Sequence, residues 1–355
     1  MAAQWPGALF ANPASRMATT WIRRLGTKRS GFRYVNAAGR PVRDRRTLDR
    51  IDTLRVPPAW RDVNIASTPR SAIQAWGFDA RGRRQYRYNE RAVERRELKK
   101  YHRVRQLAKV LPKVRRTLHT DARPKARADR LDADTVAATV LRLISETFCR
   151  VGGERYAKEN GTFGITTLRK SHVDIAKDLA RFEYRGKGSI RQRQVVTDRE
   201  LVRLIARQLR TPGVQLFRYR ENGRWHVITA RDVNDYLQRR LGKFSAKDFR
   251  TWGGTLRAAT VLAELGPARS DTEAKRNVAL AMRLVSSELG NTPTICRKSY
   301  VHPMVVARYL DDGETIPLPR ARRHAENRGK AHSPEERALI AFLDRHFPER
   351  RKTQR

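Results

Sequence analysis

Several side chains in this sequence could together open a phosphodiester. Tyr300 closes the run Arg297-Lys298-Ser299, just after a Gly-Asn-Thr-Pro turn at residues 290–293. A phenol, with an unperturbed pKa of about 10, becomes a nucleophile when a positive field helps remove its proton. The phosphorane it would form gains negative charge on its non-bridging oxygens, so fixed donors must face them. Arginine suits that task because its planar fork bonds two oxygens at once. The leaving alkoxide needs a proton, and so an acid. Such chemistry asks for two arginines, a lysine and a tyrosine in well-defined settings. Arg150 ends an apolar helical stretch in "ETFCRVGG", and Arg250 lies beside Phe249 and close to Trp252 in "SAKDFRTWGG". Lys187 stands in the Gly-flanked tip "RGKGS", and Asn291 follows a helix C-cap.

Taken singly, each residue has an ordinary reading. Arginines near helix ends satisfy carbonyls or face solvent. A lysine in a glycine turn is usually just exposed. A tyrosine near a helix start usually half-buries its ring and bonds its hydroxyl. Asn291 beside Gly290 is a natural left-handed turn residue. His172 and His302 read as structural or phosphate-binding groups. Asp129, Asp132 and Asp134 read as charges favouring a helix start. No Cys/His ligand set and no Walker A sequence appear, so neither metal nor ATP is expected.

The elements that must position these groups follow from pattern. Residues 20–98 read as short strands, with hairpins at "FRYVNAAGRPV" and "AWGFDARGRRQYRYN". From about residue 99 the sequence turns helical and basic. "DADTVAATVLRLISETFCRVGG" predicts a helix with Asp134 at its N-cap and Gly152-Gly153 at its end. "TFGITTLRKSHVDI" reads as strand, and hairpins are predicted at Gly186–Gly188 and Asn222-Gly223. Helices resume through "SAKDFRTWGGTLRAATVLAELG" and "SDTEAKRNVALAMRLVSSELG". In the latter, Val278, Met282, Val285 and Leu289 share a face and Gly290 stops the helix. Ser333, Pro334 and Glu336 make the start of a last short helix. The fold class is α+β: a small β-rich N-terminal lobe and a larger, mainly α lobe with a small β element. The divisions are a flexible leader (1–19), a β-rich domain (20–98), a catalytic domain (99–315) and a basic linker with a short helix (316–355).

Composition narrows the partner. The 355 residues hold 77 Lys and Arg against 36 Asp and Glu, a formal net charge of +41. Such a surplus repels itself and calls for an acidic partner. Nucleic acid leads, its phosphates forming a dense line of charge. An anionic membrane is the rival, but no long apolar run or basic amphipathic anchor is visible. Two cysteines, Cys149 and Cys296, argue against a disulfide framework and fit a reducing cytoplasm.

Four motifs, "CRVGGERYAKENGTFGITTLRKSHV", "RGK", "KDFRTWGGT" and "LGNTPTICRKSY", resemble the type IB DNA topoisomerases of the short, poxvirus-like bacterial class. With "GRRQYRY", the resemblance covers roughly residues 20–315. It implies the catalytic fold shared by tyrosine recombinases and these topoisomerases. It also implies that Arg150, Arg250 and Asn291 contact the scissile phosphate, that Lys187 is general acid to the 5′-oxygen, and that Tyr300 forms a 3′-phosphotyrosyl bond. Viral and eukaryotic members carry histidine where this chain has Asn291; an amide can donate but carries no charge. By the same resemblance Gln85, Tyr86, Tyr88, Arg169, Lys170 and Lys247 contact DNA. The implied enzyme relaxes supercoils as a monomeric clamp on double-stranded DNA, with no cofactor, in the cytoplasm at the nucleoid. Tyrosine recombinases share the chemistry but usually carry histidine where this chain has Lys247. A non-catalytic DNA coat would explain the charge equally well but has no need of the four motifs.

Overall fold

The computed structural model describes residues 20–123, 131–318 and 331–347; the leader, Asp129 and most of the basic linker lie outside them. The chain divides into two compact units after Lys99.

In the first unit, β1 (Trp21–Thr27), β2 (Gly31–Val35), β3 (Arg61–Ala66), β4 (Ile73–Phe78) and β5 (Arg84–Tyr88) form an antiparallel sheet in the order β2-β1-β3-β4-β5. Side chains alternate between its faces. Ile22, Val63, Ile65 and Ala75 bury one face together with Ile51 of α1 (Arg45–Thr53). That helix corrects the expectation of strands alone: an apolar sheet face needs a cover. Asp44 starts it, its carboxylate accepting from the Thr47 N–H at 2.9 Å. The opposite face pairs Trp76 with Tyr86 and Phe78 with Arg84 in register.

Helix α2 (Glu90–Ala122) begins before the boundary, earlier than the change of character expected near residue 98, and continues into the second unit. There follow α3 (Ala133–Thr147), α4 (Glu154–Asn160), a small sheet of β6 (Val173–Ala176), β7 (Leu179–Arg185) and β8 (Arg191–Val196), then α5 (Arg199–Leu209). Strands β9 (Arg218–Glu221) and β10 (Arg224–Val227) form a second hairpin around Asn222-Gly223. The chain continues through α6 (Ala230–Leu241), α7 (Ala246–Leu265), α8 (Asp271–Leu289), α9 (Pro293–Ser299), α10 (Pro303–Asp312) and α11 (Pro334–His346).

Helix α3 is the buried axis of this unit: every residue from Thr135 to Ile144 is buried. Its N-cap is Asp132, not Asp134, because Asp132 holds the extended backbone that precedes the first turn and accepts from the Thr135 N–H at 2.7 Å. It ends at Phe148, in the left-handed region at φ 52°, before Gly152-Gly153 is reached. The stretch expected as strand at 162–175 begins instead as two short 3-10 turns, Ile165–Thr167 and Lys170–His172. Threonine hydroxyls divert the backbone there: Thr167 Oγ1 accepts from the Gly164 N–H at 3.0 Å, and Thr166 donates to the Val151 carbonyl at 2.9 Å. Val278, Met282, Val285 and Leu289 are all buried along α8, and Gly290 caps it at φ 60°. Leu339, Phe342 and Leu343 of α11 join the same core as α3 and α7. The C-terminal helix is therefore an integral layer of the second unit.

Candidate active site

Two helices end at the same place. The last carbonyls of a helix lack intrahelical partners and carry the negative end of its dipole. At the end of α3 the Phe148 carbonyl is free, and at the end of α8 those of Leu289 and Gly290. Two guanidinium groups satisfy them. Arg250, in the second turn of α7 and only 3% exposed, donates to the Phe148 carbonyl and, at 3.0 Å, to the Leu289 carbonyl. Arg150, just beyond α3, donates to the Gly290 carbonyl at 2.9 Å and to Asn291 Oδ1. The local sequence explains both placements. Gly290 takes the left-handed cap that turns Asn291 back, and a Cβ there would collide with the Gln192 amide. Ser245 and Asp248 form a capping box at the start of α7, and buried Asp248 accepts two bonds from Arg103 at 2.8 and 2.9 Å.

Tyr300 completes the cluster. It lies at the C-cap of α9, half-buried, with the Arg250 guanidinium carbon 4.9 Å from its ring centre and Lys247 Nζ at 6.0 Å. Burial raises the pKa of the phenol, but Arg250, then Arg150 and Lys247, outweigh it and hold it below the ordinary tyrosine value. Burial and the neighbouring Arg250 lower that of Arg150. Two buried donors of the cluster, Arg250 Nε and Asn291 Nδ2, meet no acceptor among the described residues. Each such donor costs about 1–3 kcal/mol, which an anionic oxygen would relieve. The site thus sets unpartnered cationic and amide donors beside a phenol whose pKa is lowered.

Lys187 is not part of this cluster. It is exposed at the Gly186–Ser189 turn between β7 and β8, and no hydrogen bond or ion pair joins it to Arg150, Arg250 or Tyr300 among the described residues. Its hairpin is nonetheless anchored beside the site: buried Gln192 of β8 packs on Gly290, and Gln194 donates to the Glu288 carbonyl at 3.4 Å.

The other expected contacts separate. Tyr86 and Tyr88 stack on the exposed face of β5 with ring centres 5.7 Å apart. Arg84 lies over Trp76 at 3.8 Å, and Arg96 over Tyr88 at 4.9 Å. Gln85 alternates to the other face and donates to Asp79 Oδ2 at 2.9 Å. Arg169 is exposed against the Phe163 ring, whereas the Lys170 ammonium is engaged by the Thr211 carbonyl. His172 accepts from the Arg169 N–H at 3.1 Å, and His302 is fully buried, its pKa pushed down to about 3, first by burial.

Residues that sequence reading passed over also shape the site. Tyr184 of β7 is buried with its hydroxyl against Cys149, close enough to sense both arginines, and burial pushes its pKa well up. Gly253 and Gly254 sit mid-helix, where each glycine costs about 1 kcal/mol against alanine. A Cβ on Gly253 would come within 2.4 Å of the Phe148 ring; one on Gly254 would come within 2.8 Å of the Tyr300 carbonyl. Two adjacent glycines inside a helical pattern were the available signal. Among the described residues, no helix is long and apolar enough to cross a membrane. Nor does any group of three or more His, Cys, Asp or Glu side chains there have the arrangement to hold a metal ion.

A sheet unit followed by a helical unit that gathers arginines around a tyrosine is the architecture of the topoisomerase IB fold. Residues 89–318 match the family described as eukaryotic DNA topoisomerase I, catalytic core, and residues 31–79 match bacterial DNA topoisomerase IB, N-terminal domain. DNA topoisomerase 1B of Acanthamoeba polyphaga mimivirus is 33% identical over 279 residues, covering 75% of this chain and 81% of the relative. DNA topoisomerase 1B of vaccinia virus (strain Copenhagen) is 22% identical over 240 residues, covering 66% and 72%. The chain belongs to the small, virus-like type IB DNA topoisomerases. Its substrate is DNA.

Proposed function

We propose that this enzyme relaxes supercoiled DNA through a 3′-phosphotyrosyl intermediate on Tyr300, without ATP or metal. The Tyr300 hydroxyl gives its proton to solvent as its oxygen attacks the scissile phosphorus; the P–O5′ bond breaks and the 5′-oxygen leaves with a proton from Lys187, which takes it back when the strand reseals. Arg150, Arg250 and Asn291 hold the non-bridging oxygens as their charge grows. The free 5′-hydroxyl end swivels, then attacks the phosphotyrosine and restores the phosphodiester. Bond energy is kept in the covalent adduct, so no cofactor is consumed. One observation carries this reading: two guanidinium groups, fixed by helix-end carbonyls, face one half-buried phenol and lower its pKa.

The exposure of Lys187 supports a hairpin that repositions when DNA arrives, with β8 already anchored by Gln192. Arg84, Tyr86 and Tyr88 are suited to gripping the duplex, and the monomer closes on it as a clamp. The test is relaxation of supercoiled plasmid in EDTA without ATP, run beside Tyr300→Phe. The expected result is full activity for the wild type, and for Tyr300→Phe DNA binding with no covalent adduct. Loss of relaxation under chelation, or an adduct in the variant, refutes the mechanism.

A further inference from the structure

The backbone around Tyr300 is fastened residue by residue. The Ser299 carbonyl accepts from Lys100 Nζ at 3.3 Å, and the Val301 carbonyl from the buried Tyr101 hydroxyl at 2.9 Å. The His302 N–H donates to Thr255 Oγ1 at 3.0 Å, and the same oxygen lies 3.4 Å from the Tyr300 carbonyl. The His302 ring, itself fully buried, sits against Tyr101 with ring centres 4.6 Å apart, and edge-on to Phe347 at 4.7 Å. Phe347 also stacks on His102 at 4.3 Å, and its carbonyl accepts from Arg105. Two elements therefore converge behind the nucleophile: residues 100–105 of α2, and the end of α11.

The second of these is unexpected. The matched catalytic-core family ends at residue 318, whereas α11 begins at Pro334. Its placement is firmly set. Arg115 of α2 donates to both Glu336 oxygens at 2.6 and 2.9 Å, Leu339, Phe342 and Leu343 enter the core, and Asp344 pairs with Arg105 at 3.3 Å. Phe347 is thereby delivered to His302, two residues past the nucleophile.

Tyr300 needs such support because of where it lies. At the C-cap of α9 its backbone has left the helix, with φ −127° and ψ −10°. Its N–H still donates to the Cys296 carbonyl at 2.9 Å, but the helix does not continue past it, so the groups packed behind it help set the direction of its side chain. In-line attack tolerates little error: a misplacement of about 1 Å costs roughly 100-fold in rate.

We infer that Tyr101, His302 and Phe347 are positioning residues for Tyr300, and that α11 is a working part of the catalytic unit through Phe347. The inference rests on the reading of Tyr300 as nucleophile. Tyr101→Phe removes one hydroxyl and leaves the ring in place; Phe347→Ala removes one wall of the His302 site; Phe347→Tyr keeps that wall. The experiment measures single-turnover covalent adduct formation at saturating enzyme on a short duplex. DNA affinity and thermal unfolding are measured in parallel.

Tyr101→Phe and Phe347→Ala are expected to slow adduct formation about 10- to 100-fold with DNA affinity unchanged, and Phe347→Tyr to recover the rate. Wild-type rates in both deleting variants overturn the inference. So does a fall in adduct formation and affinity together, in step with the folded fraction, which marks a purely structural role. An adduct formed by Tyr300→Phe would instead overturn the nucleophile assignment beneath it.

Discussion

Arginine serves two regions of this enzyme in opposite ways. In the second unit, buried Arg250 and half-buried Arg150 are tied to the carbonyl ends of α3 and α8. In the first unit, Arg84 is exposed and lies over the rings of Trp76 and Tyr86. A guanidinium held by two carbonyls has one orientation; one resting on a ring face slides at little cost, since such contacts are worth about 0.5–1 kcal/mol when exposed. The first arrangement suits a group that must meet a transition state without reorganising. The second suits a surface that must follow a flexible polyanion.

The sharpest break in this comparison is Arg250→Lys. Lysine keeps the charge but cannot reach the Phe148 and Leu289 carbonyls and a third acceptor as a planar fork. Adduct formation should fall by about 10²–10³-fold while DNA affinity persists, as read by single-turnover cleavage beside a binding titration. An equal loss in both would mean that Arg250 grips rather than catalyses.

Asp248→Ala comes next. It strands Arg103 and, two residues before Arg250, removes the carboxylate that completes the Ser245 capping box of α7. Deleting one partner of such a pair costs about 3 kcal/mol, visible as a lower denaturation midpoint with an unchanged slope. A change of a few tenths would show that the solvent-facing side of Arg103 already screens the pair.

On the other side of the comparison, Tyr86→Ala with Tyr88→Ala should weaken DNA binding by about tenfold, or ~1.4 kcal/mol. Cleavage at saturating DNA should stay at the wild-type rate, because this face carries none of the groups around Tyr300. A slower saturated rate would tie the sheet face to the chemical step.

The smallest effect is expected from Lys247→Ala. Lys247 is one of the cations that lower the Tyr300 pKa, so its removal raises that pKa. The rise of cleavage rate with pH should then move toward alkaline values, with the plateau preserved. A profile that stays in place would show that solvent screens this exposed ammonium completely.

Local rules revealed a large part of the site. The Gly290-Asn291 stop, the Lys187 turn and the Ser333–Glu336 cap are short-range signals, and each appears at its expected place. The helix within the first unit was not read from the sequence: "RRTLDRIDT" places its only two apolar residues, Leu48 and Ile51, on one helical face, a short signal whose role as a sheet cover depends on the sheet. Asp132 and Asp134 compete as caps two residues apart, and propensity does not rank them. Gln85 sits within the same short motif as Tyr86, yet strand alternation sends it to the opposite face.

By itself the sequence determined which residues could do the chemistry, which elements carry them, and that +41 charges demand a polyanion. Only the tertiary structure decided that Arg150 meets Gly290, 140 residues further along the chain, that Lys187 stays apart from the cluster, and that Phe347 stands behind Tyr300 through His302. The physical reason is range. Caps and turns are set by neighbours a few residues away, whereas the direction of a buried guanidinium or phenol is set by whichever helix ends are packed against it.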